Sequence, residues 1–84
     1  MEDNNFNAFV FALSLAITAP SEKYSQHCLS IAQDFSLPLD EIQFAKAKRL
    51  VAKANKEGTL EVLITEKGKI VGDLIQQHKG GQNA

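Results

Sequence analysis

The sequence has no tryptophan, one tyrosine, two prolines and a single cysteine among its 84 residues. With Cys28 alone, no disulfide can form within the chain, so neither a disulfide-stapled secreted scaffold nor a thiolate zinc site can be built from it. The longest apolar stretch, Ala8 to Ile17, is broken only by Ser14. It falls well short of the ~20 residues a helix needs to cross a bilayer. Nor does it read as a signal peptide. Glu2 and Asp3 precede it without a Lys or Arg, and Pro20 would sit just past a cut at Ala19. These absences point to a reducing, cytoplasmic setting with no membrane contact.

Basic residues are scarce in the first half. Residues 1–41 carry six acids (Glu2, Asp3, Glu22, Asp34, Asp40, Glu41) against Lys23 alone, a net of −5, while the remainder nets +4. In a helical bundle such polarity serves mainly to attract neighbouring helices. Apolar residues make up 44% of the chain, which places it among globular proteins rather than disordered ones. A chain of this length buries roughly 60 to 65% of its surface, so one thin core is expected, with self-association as a natural supplement.

Three helical segments and an ambiguous tail emerge from periodicity. The first, about 4–18, has large residues at odd positions from Phe9 to Ile17 and small ones between, a strand-like alternation. Its small residues are largely alanine, however, the strongest helix former, and the segment is assigned as helix. A helix apolar on nearly every side must be central or bury a second face in another subunit, which makes Phe11 and Leu15 candidate oligomer contacts. Proline at position 20 begins a second helix, about 20–35, with Tyr24, Cys28, Leu29, Ile31, Ala32 and Phe35 to one side. Pro38 breaks the chain again. In the third helix, about 39–56, Phe44, Ala47, Leu50, Val51 and Ala54 share a face, while Lys46, Arg49, Lys53 and Lys56 line another.

From 59 to 78 two readings compete. Leu60, Val62 and Ile64 alternate, and Lys67 and Gly68 offer a turn, so a β-hairpin is one. A strand followed by a helix capped by Thr65 is the other, since Ile70/Val71 and Leu74/Ile75 lie four apart. Residues 79–84 read as a frayed tail. The expected fold is thus mainly α, a single domain with a three-helix antiparallel core covered by a hairpin or strand-helix segment.

No catalytic constellation is visible. His27 and Cys28 are adjacent, but consecutive helical positions point about 100° apart, so the imidazole is badly placed to activate the thiol. Cys28 suits a small buried hydrophobe. His27 and His78 lack helical partners for a metal, and no glycine-rich phosphate loop is present. No cofactor, metal or small-molecule substrate is implied. Asp40 and Glu41 complement a helix amino terminus.

The basic stripe Lys46, Arg49, Lys53 and Lys56, with Lys48 beside it, is the most specific surface feature. It serves as a solvated helix face or, alternatively, as a nucleic-acid surface. The run Ile64, Thr65, Glu66, Lys67, Gly68, Lys69, followed by Val71, Leu74 and Ile75, resembles the segment after the wing in winged-helix transcription regulators. That resemblance covers about a dozen residues and implies a strand ending at Thr65 and DNA binding. The chain departs from the pattern before it, where no second wing strand appears. The favoured expectation is a non-enzymatic protein-protein interaction module, an adaptor, inhibitor or regulator working as a homodimer. A nucleic-acid-binding regulator is the alternative.

Overall fold

The first apolar segment is helical throughout. In the computed structural model it forms α1 (Asn4–Thr18), followed by α2 (Glu22–Ser36), α3 (Glu41–Glu57) and α4 (Leu60–Asn83). The structure describes the backbone of residues 4–83 and the side chains of residues 4–71. His78 and the expected frayed tail over 79–84 have their side chains outside the described residues.

The alternation in α1 has a helical explanation. The small residues Ala8, Val10, Ala12, Ser14 and Ala16 are all buried, whereas Phe11, Leu13 and Leu15 are half-buried and Ile17 is exposed. Small side chains let neighbouring helices approach closely, and from Phe11 onward the large ones fill the flanks, while Phe9 is buried in the core. Ala8, Ala12 and Ala16 share one helical face, which allows close packing with α2, whose buried residues are the equally small Cys28 and Ala32. Ser25 Oγ donates to the Ala16 carbonyl across this junction at 2.9 Å.

The second and third helices each start on a side-chain cap. Ser21 accepts from the Tyr24 amide at 3.2 Å, so Pro20 precedes the cap instead of occupying the first turn. Asp40 accepts from the Gln43 amide at 2.7 Å, and Gln43 Oε1 accepts from the Asp40 amide, a reciprocal box that satisfies two amides left without helical partners. The second and third helices therefore begin at Glu22 and Glu41, two residues later than the periodicity suggests. At the end of α3, Gly58 adopts φ 75°, a left-handed conformation that terminates the helix, with its amide donating to Ala54 and Asn55.

The C-terminal region corrects the sequence expectation. Neither a hairpin nor a strand-helix unit forms over 59–78; one helix, α4, runs on from Leu60. Leu60, Leu63 and Val71 are buried while Val62 and Ile70 are exposed, a helical spacing of three and eight residues. Leu63 breaks the alternation of Leu60, Val62 and Ile64. Thr65 is mid-helix, its hydroxyl donating to the Glu61 carbonyl at 2.9 Å, so it neither caps a helix nor ends a strand. The winged-helix expectation loses its strand.

The core is also not a three-helix one. Leu60 and Leu63 of α4 join Phe6, Phe9, Val10, Ala12, Ala32, Ala47, Val51 and Ala54 in one cluster to which all four helices contribute. α1 is its centre, packing against each of the other three, whereas α2 and α3 scarcely touch each other.

Candidate functional site

Because α2 and α3 are splayed, a groove of about 400 Å³ opens between them. Phe9 and Leu13 of α1 line it, as do Leu29, Ala32, Gln33 and Ser36 of α2 and Phe44 and Lys48 of α3. Phe9 and Phe44 stack with ring centroids 5.3 Å apart, fixing the α1-α3 edge of the groove. Leu29 remains 42% exposed and Phe44 38%. The Lys48 ammonium lies 5.2 Å from the Phe44 ring centroid, a cation-π contact that leaves one cation at the rim of an otherwise apolar surface.

Sequence periodicity assigns Leu29 and Phe44 to buried faces and so misses their role as groove walls. Phe44 sits at the edge of the apolar arc of α3, beside Lys48, and that position was the one available signal.

Lys46, Arg49, Lys53 and Lys56 are all exposed, and the helical repeat places them on the side of α3 opposite its buried Ala47, Val51 and Ala54. Lys46 bends toward α1, its ammonium 5.8 Å from the Phe6 ring centroid. Ile42 continues the row at 79% exposure. A shallow depression lined by Glu41, Ile42, Ala45, Lys46 and Arg49 marks its N-terminal end.

Phe11 and Leu15, the expected oligomer contacts, are half-buried within the chain. Phe11 lies against Gly68 of α4, so close that a Cβ there would stand 3.0 Å from Phe11 Cε1.

His27 is exposed and Cys28 is buried. Burial pushes the Cys28 thiol above its ordinary value, which holds it protonated and suppresses nucleophilicity at neutral pH. Among the described residues, no three His, Cys, Asp or Glu side chains are grouped to hold a metal ion, and no helix is long and apolar enough to cross a membrane.

The arrangement defines a small four-helix protein with an apolar groove on one side of α3 and a row of cations on another. No family model matches the chain, and neither a curated protein nor a solved structure matches it.

Proposed function

We propose that this chain is a non-enzymatic protein-protein interaction module, an adaptor, inhibitor or regulator, that acts in the cytoplasm as a homodimer. The groove between α2 and α3 carries this reading. It is lined by aromatic and aliphatic side chains, its floor is rigid helix, and its polar contributions are limited to Gln33, Ser36 and Lys48. Interfaces draw their energy from such apolar anchors surrounded by a polar rim. A second copy is a natural occupant for a small domain in which four of the ten residues of the buried cluster are alanine. The free thiol of Cys28 suits a reducing compartment.

Light scattering over a range of protein concentrations tests this. A mass rising to twice that of one chain is expected, and Leu29→Glu should return the protein to monomer while its helical circular dichroism is retained. A monomer at every concentration would refute the homodimer. Dimerisation untouched by Leu29→Glu would place the contact elsewhere, and Phe11 and Leu15 would then be the residues to substitute.

A further inference from the structure

The groove leaves the exposed side of α3 unused, and that side has a different chemistry. Lys46, Arg49, Lys53 and Lys56 recur at intervals of three and four residues and are all exposed, so they form one row about 15 Å long at 1.5 Å of helix per residue. The acids of α3, Glu41 and Glu57, stand at its two ends, and Glu66 of α4 lines one depression with Lys53 and Glu57, so carboxylates flank the row without interrupting it along the helix. Beside the cations lie Ala45 and Ala52, too small to keep a partner's surface away.

We propose that this row is a contact surface for the phosphodiester backbone of duplex nucleic acid, bound without regard to sequence. Charge complementarity commits the surface to a polyanion. Anchor chemistry separates nucleic acid from an acidic protein. Protein interfaces concentrate binding energy in buried aromatic and aliphatic anchors and are depleted of lysine at their centres. Three of the four cations of the row are lysines, its inner pair is Arg49 and Lys53, and it has no aromatic residue, with Ile42 its one large apolar side chain, at the N-terminal end. A duplex presents closely spaced phosphates that need only cations in register. Sequence reading draws chiefly on arginine and amide side chains that reach base edges, and a row with one arginine and three lysines is poorly supplied for it. The contact therefore positions the protein on a duplex and does not select a site.

Fluorescence anisotropy with a labelled duplex DNA of mixed sequence, using the full chain, tests the assignment. Binding should be detectable at low salt and weaken with a slope of log K on log salt of about −3 to −4, as release of counterions by four cations requires. Lys46→Glu with Lys53→Glu should abolish it. Lys46→Gln with Lys53→Gln should reduce the slope by about 2 and so reads the contact even if the reversal variant folds poorly. Unlabelled polyglutamate should compete far less well than unlabelled duplex of any sequence. No binding at low salt, binding that survives the reversal in a folded variant, or equal competition by polyglutamate would each overturn the proposal.

Discussion

Lys67 of α4 reaches across to α1, where its ammonium donates a hydrogen bond of 2.9 Å to the side-chain oxygen of Asn7. Asn7 is only 5% exposed, so its amide is shielded from water and depends on protein partners. Sixty residues separate the two in sequence. The contact ties the last helix to the first on the face where α1 also buries Val10 and Ser14. Lys67→Met keeps the aliphatic stem and removes the donor. It should cost about 1 to 2 kcal/mol of unfolding free energy, read from the urea midpoint at unchanged slope.

One turn further along α1, Phe11 occupies the space that glycine leaves at position 68. In an unobstructed helix, glycine to alanine would stabilise by about 1 kcal/mol. Here the new Cβ would meet the Phe11 ring at 3.0 Å, so Gly68→Ala should stabilise less than that or destabilise. In a Phe11→Ala background the helix-propensity gain should reappear. A double-mutant cycle should show a coupling of about 1 kcal/mol, and strict additivity would mean that the ring yields freely.

Gly58 differs from Gly68 in cause. Nothing lies within 4 Å of a Cβ built there, but its φ of 75° is a left-handed conformation. Gly58→Ala should therefore destabilise by about 1 kcal/mol through backbone strain alone, and Gly58→Asn by less, since asparagine tolerates that region better. Thermal melts of the two variants give the comparison.

The buried thiol makes two linked predictions. Cys28 should resist a thiol reagent in the native state and react at the rate of unfolding or local opening. Its folded-state value is raised, so the native protein retains the proton at a pH where the unfolded chain releases it. Its contribution to stability is full below the ordinary thiol range and falls as pH rises through it toward the raised native value. Cys28→Ala should flatten that alkaline decline in denaturation curves recorded across the range.

Much of the helical framework was legible in local residue order. The breaks follow from Pro20 and Pro38 and the end of α3 from Gly58, because backbone restriction acts over a few residues, whereas the caps Ser21 and Asp40 set the starts two residues later than the periodicity. The basic row was legible too, since the helical repeat alone groups Lys46, Arg49, Lys53 and Lys56. The end of the chain misled. Leu60, Val62 and Ile64 satisfy a two-residue period over a short window, while Leu60, Leu63 and Val71 satisfy a helical one. Choosing between them required knowing what those residues pack against.

The sequence by itself determined that this chain is mainly α, because proline breaks, helical periodicity and alanine-rich segments are encoded locally. Only the tertiary structure decided that residues 60–83 complete the bundle as a fourth helix, that Asn7 and Ser14 lie buried inside it, and that Leu29 and Phe44 border an open groove. Each of those outcomes depends on which faces meet across long separations in sequence. Burial on α1 settles the period of α4, and the separation of α2 from α3 leaves apolar side chains exposed that either helix alone would appear to bury.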